Sequence, residues 1–276
     1  MSTKQIHKVI FAPQHQMGNM VIKQPLPSVH LDYLDPFVLL HHGKNVVPED
    51  FDQHHDGVDP HPHRGFAPVT FVFEGGVQHQ DSRGNKQSVL KGGVQWMNAG
   101  MGIVHSERPA VAGLQEIIQM WVNVPASHKM DQPTYYPINQ KDMPAYQSED
   151  KKVAMYVVSG ELLGLKGLVP TYTSINSAMV WAEKGGKLSF DIPAGQHSFL
   201  YLLDGQITIG GQEVNKYHMV VFEKEGTNIA FEVTADAKLL FMSGESIGES
   251  IVAKGPFVMN SESEIMEAYR NYRMGK

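Results

Sequence analysis

The 276-residue chain contains no cysteine. That absence removes disulfide frameworks, thiolate metal sites, iron–sulfur clusters and cysteine nucleophiles together. Long apolar runs are missing too. Nothing approaches the ~18 residues of a membrane span, and Val9-Ile10-Phe11-Ala12 stops at Pro13, short of the apolar core of a secretory signal. Nor is there a basic excess. With 23 Lys and Arg against 29 Asp and Glu, the net charge is −6 and the pI about 6.1. That balance speaks against a general nucleic-acid or anionic-membrane binder. The expectation is a soluble, cytoplasmic protein.

Hydrophobic residues make up 42% and charged residues 19%, enough apolar side chain for a folded core. The 26 glycines and 16 prolines favour many turns and short strands. Histidine is the residue in excess. Eleven of the 14 lie in the first 110 residues, where uniform spacing would put about six. Without thiols, any transition metal here would be held by imidazole and carboxylate.

Two stretches read as strand-rich. Val69 to Phe73 is β-branched and aromatic, and a turn is expected at Glu74-Gly75-Gly76, then Val77 to Gln80 and a second turn over Asp81 to Asn85. Phe199 to Leu203 leads into Asp204-Gly205, then Gln206 to Ile209 and Gly210-Gly211. At one offset of 130 residues, Glu74-Gly75 falls on Asp204-Gly205 and Gly65 on Gly195, which indicates a duplicated all-β module. Between the copies, Pro125, Pro133, Pro137 and Pro144 punctuate a polar stretch read as a connector. Near the C-terminus, Ser261 with Glu264 forms a capping box, and Ile265, Ala268, Tyr269 and Tyr272 recur at helical spacing.

The chemistry concentrates in His61-Pro62-His63. In extended chain, residues i and i+2 share a face, so both imidazoles can reach one ion. His105 and Glu107 form a second such pair. If the strands carrying the pairs face each other inside a barrel, the result is a three-histidine, one-carboxylate site. That donor set suits Fe, Ni, Cu, Co, Mn or Zn and leaves positions open for substrate or oxygen. Pro62 cannot donate a ladder hydrogen bond, which places the segment at an edge or a barrel mouth. The adjacent pairs His41-His42 and His54-His55 diverge in extended chain, His79 falls in a hairpin, and His197 and His218 show no partner pattern. All of these are read as structural. Gly244-Glu245-Ser246-Ile247-Gly248 satisfies G-x-S-x-G, but neither Asp nor His follows it in the chain, so it is read as a turn and not a nucleophile elbow.

The sequence resembles the pirin family of the cupin superfamily. The blocks that carry the likeness are His61-Pro62-His63-Arg64-Gly65-Phe66, Gly75, His79, Asp81-Ser82 and Gly84-Asn85, then Val94-Gln95-Trp96-Met97 and Gly102 to Glu107. They continue through Trp121-Val122-Asn123, Lys129-Met130, Ser159-Gly160-Glu161 and Gly255-Pro256-Phe257-Val258-Met259-Asn260. The resemblance implies an all-β fold of two cupin β-barrel modules in tandem with a short C-terminal helix. Residues 1–135 would be the metal-binding module. Residues 136–276 would be a module without ligands, ending in a helix at about 262–273. In the repeat, His61 and His63 fall on Asp191 and Pro193, in agreement.

The family's ligands carry over as His61, His63, His105 and Glu107, the four that spacing proposes. The implied cofactor is one divalent transition metal, iron first, with Ni, Cu, Co, Mn or Zn as substitutes. The implied activity is that of a quercetin 2,3-dioxygenase, an oxidoreductase opening a flavonol ring with O2 and releasing carbon monoxide. Glu107 would accept the substrate's hydroxyl proton or remain a ligand. The alternative is a non-catalytic metal-binding regulator, a transcriptional cofactor or a regulator of a metabolic enzyme, which would need a protein partner. Neither reading involves direct nucleic-acid binding or a membrane.

Overall fold

The protein's structure, a computed structural model, describes residues 2–18 and 20–275. Strand accounts for 59% and helix for 7%, the all-β composition that the turn-rich sequence predicts. The chain divides into two units. The first comprises Gln16–Ile22, Pro36–Gln140 and Ile247–Lys276. The second comprises Met1–His15, Lys23–Asp35 and Lys141–Ser246.

In the first unit, a four-stranded antiparallel sheet runs in the order Val58–His63, Ile103–Pro109, Gly76–Asp81, Lys86–Leu90. A larger sheet places Thr134–Ile138, Val94–Asn98, Phe66–Glu74, Gly113–Asn123 and Phe37–Val47 side by side. The stretch read as a connector therefore contains an edge strand, Thr134–Ile138, whose Pro137 needs no ladder donor at an edge. Glu74-Gly75 does not reverse the chain either. Phe66–Glu74 belongs to the larger sheet and Gly76–Asp81 to the smaller, so Gly75 is a corner between sheets. Its φ of +78° suits glycine, and a Cβ there would press on the Leu114 carbonyl oxygen at 2.8 Å.

In the second unit, nine strands form one antiparallel sheet system built around His197–Ile209 and Asn228–Gly244. His197–Ile209 passes through Asp204-Gly205 without a break, and register shifts on either side of Asp204 bend it. Its interior holds a large cluster of buried hydrophobic residues, Leu200, Leu202, Leu239 and Phe241 among them. The 130-residue repeat makes the contrast local. Thr70 falls on Leu200; Thr70 pairs with Gln119 across the strands, and Leu200 pairs with Phe241. The repeat's inner wall is polar in one copy and apolar in the other.

Ser261 caps the C-terminal helix Glu262–Arg273, its side chain accepting from the Glu264 N–H as the capping box predicts. The helix buries Ile265 and Ala268 against Phe257 and Met259, within the first unit. Among the described residues, no helix is long and apolar enough to cross a membrane.

Candidate metal centre

The Val58–His63 and Ile103–Pro109 strands pair so that His61 stands opposite His105 and His63 opposite Ile103. Along Ile103–Pro109 every second residue is buried, which turns His105 and Glu107 to one side. A register shift between His105 and Glu107 sets Glu107 opposite Val58. The Pro62 backbone meets Val104 only at the sheet's outer strand, where a missing N–H is tolerated. His61, His63 and His105 bring one ligand atom each to within 4.8 Å of one another, a cluster that can hold a metal ion.

Each of the three rings has its Nδ1 occupied. His61 Nδ1 donates to the Asp59 carbonyl at 2.8 Å, and His63 Nδ1 to the Pro256 carbonyl at 3.1 Å. His105 Nδ1 lies 3.3 Å from His79 Nδ1. A neutral imidazole with its proton on Nδ1 has a bare lone pair on Nε2. The Nε2 atoms of His63 and His105 are buried and meet no hydrogen-bond partner among the described residues. Burial, then the neighbouring His61, pushes the His63 imidazole down to about 3 despite the Pro256 carbonyl. Burial and the other three histidines hold His105 well below its ordinary range. Both rings are neutral donors at neutral pH. Orphaned lone pairs on neutral, converging imidazoles are what a divalent transition metal requires.

Glu107 lies in the same interior but outside this close trio. Its Oε1 accepts from the Thr70 hydroxyl at 2.8 Å and its Oε2 from the Gln119 amide at 3.0 Å. Gln119 is itself approached by Trp121 Nε1 at 3.4 Å. Trp121 and Phe66 flank His63, with ring centroids 5.5 and 5.1 Å from it.

Several supporting residues escaped the spacing argument. His79, read as an ordinary hairpin residue, is buried beside His105, 2.8 Å from the Asp81 carboxylate and stacked on Tyr135. Its i, i+2 spacing to Asp81 was the available signal. Thr70 is covered only by the strand reading of Val69 to Phe73, and Gln119 carries no signal of its own. Burial pushes the Asp81 carboxyl up, but donors from His79, Asn85 and Arg83 outweigh it and hold it below its ordinary range.

The other histidines stand apart. His54 and His55 sit exposed in a loop, and His218 faces the Asn215 and Lys216 carbonyls. Ser246 does meet a histidine, His197, at 3.1 Å. That Nδ1 also faces the Asp35 carbonyl. A ring N–H held by a carbonyl cannot take the serine's proton, so this is no relay.

The family model described as Pirin matches residues 18–122, and that of the Pirin C-terminal cupin domain matches residues 178–276. A pirin-like protein of Solanum lycopersicum is 33% identical over 98% of this chain and 91% of its own length. The crystal structure of a quercetin 2,3-dioxygenase from Acinetobacter baumannii superposes with a TM-score of 0.93 at 30% identity, covering 99% of this chain and 98% of that one. The bacterial pirin YhhW from Escherichia coli, in complex with nickel(II), shares the fold at a TM-score of 0.70 and 19% identity, over 87% of this chain and 99% of that one.

Proposed function

The chain belongs to the pirin family of two-cupin proteins, and from that premise we propose that its first unit is a metal-dependent oxygenase of quercetin 2,3-dioxygenase type. The observation that carries the reading is the convergence of three Nδ1-anchored histidines, two of which, His63 and His105, bury Nε2 atoms that meet no partner among the described residues. The fold likeness to a quercetin 2,3-dioxygenase supports the substrate class.

His61, His63 and His105 would hold the metal, with Glu107 as fourth ligand or as base. Iron is our first choice. A metal in this site supplies Lewis acidity towards a substrate hydroxyl and one-electron chemistry towards O2. The chain's own residues do the rest. Glu107 takes the flavonol hydroxyl proton on a carboxylate oxygen, and Thr70 and Gln119 hold that carboxylate in place. Trp121, partly exposed and backed by the buried Phe66, offers an aromatic face against which a planar flavonol ring can stack. Burial of His63 and His105 keeps water from competing for the same positions.

Metal-loaded protein should bleach quercetin aerobically and produce carbon monoxide, and His63→Ala should do neither. Absence of turnover with Fe, Ni, Cu, Co and Mn would overturn the oxygenase reading and leave the regulatory one, testable by a pull-down that depends on metal state. Less than about a tenth of an equivalent of any transition metal in untagged protein, not restored by loading, would overturn both.

A further inference from the structure

We propose that Asp81 and His79 are positioning residues for His105: a hydrogen-bond relay of fixed polarity that keeps the His105 proton on Nδ1 and its Nε2 bare for a metal. The proposal rests on the metal-site reading above and adds a second layer to it.

The polarity follows from Asp81. Its Oδ1 accepts the backbone N–H groups of Arg83 at 2.9 Å and Asn85 at 3.1 Å. Its Oδ2 accepts the Asn85 side-chain amide at 2.8 Å and lies 2.8 Å from His79 Nε2. A carboxylate has no proton to give, so His79 Nε2 must be the donor. Neutral His79 then presents a lone pair at Nδ1. Across the 3.3 Å gap to His105 Nδ1, the proton belongs to His105. His105 Nε2 is left as a lone pair, and it is the buried atom that meets no partner among the described residues.

Local structure fixes each link. Val77, His79 and Asp81 alternate onto the buried face of their strand, which places His79 and Asp81 side by side. Strand register sets Asp81 opposite His105 and His79 opposite Glu107. His79 is 1% exposed and stacked on Tyr135 at 4.0 Å and 12°, so its ring is confined. His61 and His63 reach the same tautomer more simply, through the carbonyls of Asp59 and Pro256. Only the third ligand needs a side-chain relay. Outer partners of this kind raise ligand basicity and typically matter ~10–100-fold in metal affinity.

Asp81→Asn tests the relay because the backbone constrains the result. The Arg83 and Asn85 N–H groups require an acceptor, so the asparagine oxygen must take the Oδ1 position. Its amide nitrogen then faces His79 Nε2 and the Asn85 side chain, whose amide turns its oxygen inward, and becomes a donor to both. His79 shifts its proton to Nδ1, His105 Nδ1 becomes an acceptor, and the His105 proton moves to Nε2.

The first readout is the 15N spectrum of the histidines in metal-free protein at about pH 8, where neutral imidazole dominates. Expected is an Nδ1–H tautomer for His105 in the natural chain and Nε2–H in Asp81→Asn. Nε2–H in the natural chain, or no change in the variant, would overturn the relay. The second readout is Ni(II) affinity by chelator competition, expected to weaken roughly 10–100-fold in the variant. Equal affinity would overturn its role towards the metal. If the natural chain shows the expected tautomers but takes up no Ni(II), the metal reading fails and the relay's polarity stands. Should Asp81→Asn not fold, His79→Phe keeps the stack on Tyr135 and removes the relay. His105 should then populate both tautomers, and retention of Nδ1–H alone would overturn the proposal.

Discussion

Lys129 shows how far one side chain can tie this barrel together. It is 1% exposed, and its ammonium donates to the carbonyls of Gly65 and Val258 and to Asn123 Oδ1, at 2.6, 3.1 and 2.6 Å. It thus links the turn after His63 to the segment that supplies Pro256. Burial pushes the ammonium down to about 8, against the opposing pull of Glu249 and Glu264. Below pH 8, folded and unfolded chains both carry the proton and the burial penalty is fully present. Between about 8 and 10.4 the folded chain has released its proton while the unfolded chain still binds one, so stability rises with pH. Urea unfolding of the natural chain and of Lys129→Met should show the difference growing in favour of the natural chain by about 3 kcal/mol over that window. A difference independent of pH would mean that the ammonium stays charged throughout.

Among the elements, corners were harder to read than strands. Val69 to Phe73 declared itself by β-branched and aromatic residues, and Ser261 with Glu264 marked the helix start correctly. Glu74-Gly75 and Asp204-Gly205 looked like hairpin turns because glycine signals a special φ without saying whether the chain reverses. In the fold neither reverses the chain: Gly75 is a corner between strands of two sheets and Gly205 a bend inside one continuing strand, at φ values of +78° and +81°. At Gly205 the constraint is also spatial, since a Cβ would overlap the Asp236 carbonyl oxygen. Gly195 has a similar φ of +79° with open space around it. Gly195→Ala should cost about 1 kcal/mol for its backbone conformation alone, and Gly205→Ala clearly more, read as the two shifts in urea midpoint. Equal losses would mean that the strand yields around residue 205.

The site divides in the same way. His61, His63, His105 and Glu107 stood out because i, i+2 pairs are local. Asp59, Thr70, Gln119 and Pro256 did not, because their contacts are carbonyl, hydroxyl or amide hydrogen bonds that leave no composition signal. The His63 to Pro256 bond spans 193 positions, and no local pattern encodes it.

At the scale of the molecule, the two copies of the repeat have diverged in what they enclose. The second holds a large cluster of buried hydrophobic residues where the first has its histidines. The first gives up apolar filling to hold His63, His79, His105 and Glu107 inside. Burying a large aliphatic or aromatic side chain contributes roughly 1.5–3 kcal/mol, so polar substitution on the inner wall lowers intrinsic stability there. Metal binding should offset that deficit in the first unit alone. Calorimetry with Ni(II) added at about 100 times its dissociation constant should stabilise one unfolding transition by about 2.7 kcal/mol and leave the other in place. Movement of neither would speak against the metal site, and chelator should reverse the shift.

The carbonyl that orients His63 also carries a consequence for biosynthesis. A ribosome makes His63 early and must translate the whole of the second unit's main segment, Lys141–Ser246, before it reaches Pro256. Until then a nascent chain holds His61, His63 and His105 with one of its three tautomers unset. A metal taken up by the fully oriented trio would therefore be captured only after the second copy's main segment has been synthesised.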